Sequence, residues 1–144
     1  MISINPYFNF MGNTEEAMNF YKSVFGGEFT AFHRFNDSPG HEKMPKHEQT
    51  KIMHVSLPMG SGTIMATDTL ESMGMTTVAG NNVYICVNTE SEEETARFFN
   101  KLAEGGEIEM PLNQTFWGAY CGMCRDKFGL QWMITYDLKL NEKK

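Results

Sequence analysis

The feature that most constrains this chain is that it repeats itself. Displacing the sequence by 79 residues lays residues 14–28 on 93–107. Glu15 then meets Glu94, Ala17 meets Ala96, Phe20 meets Phe99 and Lys22 meets Lys101. Gly26, Gly27 and Glu28 meet Gly105, Gly106 and Glu107, which makes seven identities in fifteen positions. Self-similarity at a fixed offset is the mark of one supersecondary unit used twice. The 144 residues are therefore expected to divide into two like modules.

The repeated segment reads as a helix. Ala17, Phe20, Tyr21, Val24 and Phe25 fall at i, i+3, i+4, i+7 and i+8, which is one helical face. Asn13 is placed to cap its start, with Glu16 three residues on, and Gly26-Gly27 ends it, because glycine accepts the left-handed backbone of a C-cap. In the second half Ser91-Glu92-Glu93-Glu94 reads as a capping box, Ala96, Phe99 and Ala103 as the apolar stripe, and Gly105-Gly106 as the stop. A strand-like run precedes each helix, at 2–10 and 82–88. Three more follow each, at 28–35, 51–58 and 63–68, and at 107–111, 115–123 and 130–136. Gly60-Ser61-Gly62 and Asp126-Lys127-Phe128-Gly129 supply tight turns. Each half thus reads βαβββ. The expected fold class is α+β, two βαβββ modules forming cupped mixed sheets, with module 1 at about 1–69, a linker at about 70–81 and module 2 at about 82–138. Residues 36–50, with Pro39, Gly40 and Pro45, form a polar loop long enough to be either mobile or a lid.

Strand alternation assigns faces. Phe8, Phe10, Val83, Ile85 and Val87 are expected to point at the helices, which leaves Asn5, Tyr7, Asn9, Asn82, Tyr84 and Cys86 on the other side. His54 and Ser56 share a parity in the third strand, Met65 and Thr67 in the fourth, and Gln131, Met133 and Thr135 in the last. A curved sheet with amides, hydroxyls, Tyr and Met on its free face offers apolar walls with a few polar anchors, as small-ligand sites require. Such a face can also pair in a dimer, and a one-residue slip would invert every assignment.

Composition removes several classes of function. The net charge is −6, with no basic cluster, so a nucleic-acid partner is not expected. No apolar run approaches the ~20 residues of a membrane span. The start, Met1-Ile2-Ser3-Ile4-Asn5-Pro6, lacks the basic-then-apolar pattern of a signal peptide, and the expected location is cytoplasmic. The cysteines, Cys86, Cys121 and Cys124, are odd in number and read as reduced thiols. Cys121 and Cys124 have C-x-x-C spacing, but in a strand i and i+3 face opposite ways, so neither a zinc nor a redox pair is expected. The twelve methionines read as core filling or as an adaptable apolar surface.

Candidate chemistry is sparse. His41 and His47 lie in the polar loop and read as solvated, whereas His54 is directed to the ligand side as an anchor or general base, or else is structural. Asp68 ends a strand beside Thr67 and Thr69 and reads as a turn cap or a site residue. Trp117 and Tyr120 can stack on a flat ligand or belong to the core. There is no G-x-G-x-x-G, P-loop or G-x-S-x-G motif. The βαβββ order also lacks the parallel sheet on which methyl donors and dinucleotides sit, so methyl transfer is not expected.

Two such modules, with Asn19-Phe20-Tyr21 and then Phe25-Gly26-Gly27, resemble the glyoxalase/bleomycin-resistance (vicinal oxygen chelate) superfamily. Asn5-Pro6-Tyr7-Phe8-Asn9-Phe10 before Glu16-Ala17, and the tail Phe116-Trp117-Gly118, Gly122, Asp126-Lys127-Phe128-Gly129 and Trp132, look like its branch labelled 3-demethylubiquinone 3-methyltransferase-like, or PhnB-like. The resemblance covers nearly the whole chain. It implies a dimer, and an Asp at position 68 is typical of the branch. It also implies a divalent metal on four ligands, usually His and Glu, one from the first and last strands of each module. By strand position those slots here are Asn5, Met65, Asn82 and Met133, a set that does not strongly hold zinc, nickel or iron(II). The functional expectation is therefore a metal-independent small-molecule-binding protein, a homodimer with no cofactor. Tyr7, His54, Met65, Asp68, Asn82, Tyr84, Trp117, Gln131 and Met133 are its expected ligand-binding residues. The alternative is a metal-dependent lyase, isomerase or dioxygenase with an atypical site, drawn from His54 with Asp68 or a loop histidine.

Overall fold

The computed structural model describes residues 1–138. In chain order the elements are β1 (Tyr7–Phe10), α1 (Thr14–Phe25), β2 (Ala31–Arg34), β3 (Ile52–Met59) and β4 (Gly62–Asp68), then β5 (Ile85–Asn88), α2 (Glu92–Ala103), β6 (Glu107–Gln114), β7 (Ala119–Arg125) and β8 (Gln131–Asp137). Two compact units result, the first ending at Val78 and the second beginning at Ala79. Their sheets run β1-β4-β3-β2 and β5-β8-β7-β6. The outer pairs β1–β4 and β5–β8 are parallel and the remaining pairs antiparallel, so both are mixed sheets of the α+β class, one per βαβββ module. Among the described residues no helix is long and apolar enough to cross a membrane.

In the first unit α1 lays Ala17, Met18, Tyr21 and Val24 over Phe8, Phe10, Val55, Leu57, Ile64 and Ala66, none more than 6% exposed. The Phe8 ring meets Phe10 and Tyr21 edge-on. In the second unit Phe99 and Leu102 of α2 and Trp132 and Ile134 of β8 are likewise buried. A Cβ on Gly122 would lie 2.7 Å from the Phe99 ring and 3.0 Å from Leu112, so β7 needs a glycine where the helix seats. That contact fixes the faces. Gly122, Cys124, Trp132 and Ile134 point at α2, and their alternates Met123, Met133 and Cys86 point away from it.

The structure departs from the sequence reading in three strand bounds, with β2 shorter at both ends, β6 running on to Gln114 and β7 spanning Ala119–Arg125, and at four further places. First, the buried residues of α2 are Thr95, Phe99 and Leu102, not Ala96 and Ala103. They correspond to Ala17, Tyr21 and Val24 of α1, one residue out of step with the identities. Packing therefore follows the helical face and not the matching letters. Second, β1 begins at Tyr7 and β5 at Ile85, because pairing starts only at Met65 and Trp132. Ile2, Ile4 and Val83 are consequently exposed, and Val83 does not face α2.

Third, Asn13 makes no side-chain cap. The start of α1 is held instead by Asp68, 3% exposed, whose Oδ1 accepts from the Gly12 and Thr14 N–H groups at 3.0 Å each. Its Oδ2 accepts from the Ile52 N–H at 2.8 Å. One carboxylate thus ties the end of β4 to the starts of α1 and β3. The second helix does start as its sequence predicts, with Ser91 Oγ accepting from the Glu94 N–H at 3.0 Å. Fourth, the loop after β2 is built from three single-turn 3₁₀ helices, Phe35–Asp37, His41–Lys43 and Lys46–Glu48. Arg34 clamps its root through two bonds to Glu15 (2.9 and 2.7 Å) and one to the Thr50 carbonyl (2.8 Å). Buried Glu48 accepts from the Ser72 N–H at 3.1 Å and from the Ser72 hydroxyl, and Ser72 holds its carboxyl below the usual range.

Candidate functional site

On the first sheet, the face turned away from α1 carries Tyr7, His54, Ser56, Met65 and Thr67. Register puts Tyr7, Met65 and Ser56 in one line across β1, β4 and β3. His33 of β2 lies opposite His54 of β3 in the neighbouring line. Tyr7 Oη is 3.2 Å from His54 Nδ1, and the two rings stack at 5.7 Å with an interplanar angle of 30°. His54 Nε2 is 2.9 Å from Ser56 Oγ. A neutral imidazole has one N–H and one lone-pair nitrogen. Whichever nitrogen carries the proton, one hydroxyl donates to the ring and the other accepts from it. The accepting hydroxyl keeps its own proton, so the chain Tyr7–His54–Ser56 ends on an O–H that none of these three groups consumes. Thr67 on the same face is already committed, donating to the Met53 carbonyl at 2.7 Å.

On the second sheet, the face away from α2 holds Tyr84, Gln131 and Met133 together with Glu109. An irregularity in β6 between Ile108 and Met110 sends the Glu109 carboxylate to this side. Its Oε1 accepts from the Tyr84 hydroxyl at 3.1 Å and from Gln131 Nε2 at 3.2 Å, and its Oε2 accepts from Gln131 Nε2 at 3.0 Å. Loss of solvent around Tyr84, and then the Glu109 carboxylate beside it, push the phenol above its usual range. Cys86, Met133, Met123 and Met110 follow one another across all four strands of this sheet.

The residues expected from sequence divide accordingly. Tyr7, His54 and Met65 come together in the first unit, and Tyr84, Gln131 and Met133 in the second. Asp68 lies on the helix side of its sheet with both oxygens bonded to the scaffold, so it supports the fold and does not reach the face that carries His54. Asn82 is exposed in the segment before β5, and half-exposed Trp117 sits in the β6–β7 turn, edge-on to Phe116 at 5.1 Å. The sequence reading left His33 without a role and passed over Glu109, Met110 and Met123. His33 becomes a neighbour of His54 only through strand register, and Glu109 reaches its face only through the break in β6. The C-x-x-C pair does face two ways. Cys121 lines up with Thr135 and Cys124 with Trp132, and burial first, then Asp126 and Glu109, push the Cys124 thiol up to about 12.

The metal slots do not fit a divalent ion. Asn5 Oδ1 is spent accepting from the Thr63 N–H at 3.0 Å, and Met65 and Met133 are neutral thioethers. Among the described residues no group of three or more His, Cys, Asp and Glu side chains is placed to hold a metal.

Two βαβββ units, each with one helix against a mixed four-stranded sheet, make up the glyoxalase/bleomycin-resistance type of fold. A glyoxalase/bleomycin resistance protein/dioxygenase family enzyme from Burkholderia phytofirmans has this fold, with a TM-score of 0.59 at 17% identity over 92% of this chain and 97% of that one. Within that type, the chain belongs to the 3-demethylubiquinone-9 3-methyltransferase family, whose sequence model matches residues 2–135. It is 32% identical to Protein YjdN of Escherichia coli (strain K12) over 139 residues, 91% of this chain and 92% of that protein. It is 39% identical to protein PA1353 from Pseudomonas aeruginosa, with a TM-score of 0.84 over 95% of this chain and 98% of that one.

Proposed function

We propose that this protein binds a small organic molecule without the help of a divalent metal, and that it does so in the cytoplasm. The observation that carries the reading is the Tyr7–His54–Ser56 chain lying beside Met65 on the face of the first sheet turned away from α1. A terminal O–H donor suits a carbonyl, phenolate or carboxylate oxygen on the ligand. The Tyr7 ring and the Met65 thioether suit an apolar or aromatic body of modest size. Such a mixture of mainly apolar wall and few polar anchors is what selects a small molecule.

Methyl transfer forms no part of this reading, although the family description names it. Methyl donors on α/β proteins sit where a parallel strand feeds a helix N-terminus through a glycine-rich turn. Here the corresponding position, the start of α1, is filled by the Asp68 carboxylate. Metal independence is supported by the donor set, in which Asn5 is already bonded and Met65 and Met133 are soft.

The test is the content of untagged protein purified natively. Mass spectrometry of the denatured sample should release an organic compound, and plasma mass spectrometry should find no stoichiometric zinc, nickel, iron, cobalt or manganese. In Tyr7→Phe and His54→Ala the compound should be retained about tenfold less tightly, the worth of one hydrogen bond to a ligand. A stoichiometric ion of that set, or retention unchanged in both variants, would overturn the proposal.

A further inference from the structure

The polar cluster of the second sheet is not used by the proposal above, whose anchors lie in the other unit. Two side chains converge there on a third. Glu109 Oε1 accepts from the Tyr84 hydroxyl at 3.1 Å, and both Glu109 oxygens lie within 3.2 Å of Gln131 Nε2. Both donors are neutral. Among the described residues no Lys, Arg or His forms an ion pair with Glu109. Arg125, which pairs with Gln131 in register, gives its guanidinium to the Gly129 and Gly80 carbonyls at 2.7 and 3.0 Å. Glu109 is exposed, and a carboxylate has more lone pairs than these two donors fill. The second observation concerns Gln131, which is 4% exposed. A carboxylate only accepts, so the amide must turn its NH₂ group to Glu109 and its carbonyl oxygen away. That oxygen is buried and has no hydrogen-bond donor among the described residues, a state that buried acceptors rarely hold. It shares a carbon with Nε2, so it stands within one head group's breadth of the carboxylate. Met133, Met123 and Met110, half-buried, continue the same face as an apolar wall.

We propose that this cluster binds an organic ammonium ion, a protonated primary amine on an apolar body. Glu109 is its counter-ion, Gln131 Oε1 its second acceptor and the methionine face the seat of its body. An ammonium group carries three N–H donors and no acceptor, which matches a site whose open positions are both acceptors. Its charge meets the one carboxylate that no cation of this unit engages, and hydrogen bonds between ionised partners are the strong ones. The exposed Glu109 side chain shifts with the incoming head group, and that shift opens Gln131 Oε1 to one of the three N–H groups. A ligand carboxylate or phosphate would instead meet Glu109 as a like charge. A hydroxyl ligand would leave Glu109 without a counter-ion. The site stands in the second unit and does not rest on the function proposed for the first.

The test is titration of the full chain with phenethylammonium chloride at neutral pH, followed by NMR of methyl-labelled methionine, with phenethyl alcohol as the neutral counterpart of the same shape. The amine should bind saturably and move the methyl signals of Met123 and Met133, while Met73, exposed in the other unit, stays still. The alcohol should bind at least about tenfold more weakly. Glu109→Gln removes the charge at an exposed position and should weaken the amine at least about tenfold without changing the alcohol. Gln131→Met removes the buried acceptor at similar length and should weaken the amine about fivefold. Glu71→Gln takes the same charge from an exposed position in the first unit and should match the parent. If the Gln131 variant fails to fold, the Glu109 variant and the methyl shifts of the parent protein decide. No saturable binding of the amine, equal affinity for amine and alcohol, or a folded Glu109→Gln protein that binds the amine as tightly as the parent would overturn the proposal.

Discussion

Asp68 shows how much one side chain can organise. It receives three backbone N–H groups from two chain segments, and buried N–H groups left without an acceptor cost about 1–3 kcal/mol. Asp68→Asn replaces one accepting oxygen with an NH₂ group that confronts those donors. It should lower the unfolding free energy by about 1–3 kcal/mol in urea titration while leaving ligand retention in the folded protein intact. A loss of ligand with no loss of stability would instead place Asp68 in the binding machinery. A second residue-scale outcome concerns Tyr84. Desolvation is the first cause of its raised phenol and the Glu109 carboxylate the next. Glu109→Gln should therefore bring the tyrosine titration, read by ultraviolet absorbance, part of the way back to its usual range.

At the scale of elements, two features do work that their letters do not announce. The irregularity in β6 brings Glu109 and Met110, adjacent in sequence, to one side of the sheet, which a regular strand would forbid. Glycine at 122 lets α2 sit directly on β7. Gly122→Ala forces a methyl group against the Phe99 ring and Leu112, and should cost about 1–3 kcal/mol by thermal melting, with the fold kept. The loop after β2 is pinned by Glu48, whose carboxyl is lowered chiefly by the Ser72 hydroxyl. A group with a lowered folded-state value adds stability above its unfolded value and loses it as pH falls. The thermal midpoint should therefore drop as pH goes from about 5 to about 3, and Glu48→Gln should flatten part of that drop.

At the scale of the whole molecule, the repeat is the organising fact, and each unit builds the same sheet from it. The two copies have diverged on the face away from the helix. The line Tyr7–Met65–Ser56 in the first unit corresponds to Cys86–Met133–Met123 in the second, so hydroxyl chemistry in one is replaced by sulfur in the other. We propose a homodimer, the closed assembly that a single chain reaches most often. Sedimentation equilibrium should give twice the 16.4 kDa chain mass at micromolar concentration, and a monomer there would refute it.

The sequence by itself determined the number of modules, the order of elements and the side of each sheet on which Phe8, Phe10, Tyr7, His54 and Met133 lie. These rest on short-range periodicity, and a period of 2 or 3.6 is written into the chain. Local capping at Ser91 was legible for the same reason. Tertiary structure alone decided the rest. It took Asp68 from the ligand side to the start of α1, because N–H groups from distant segments converge on it. It paired His33 with His54, and it brought four sulfurs into one line. Each of those depends on strand register, which is set by pairing between segments far apart in the chain and leaves no trace in the neighbourhood of any one residue.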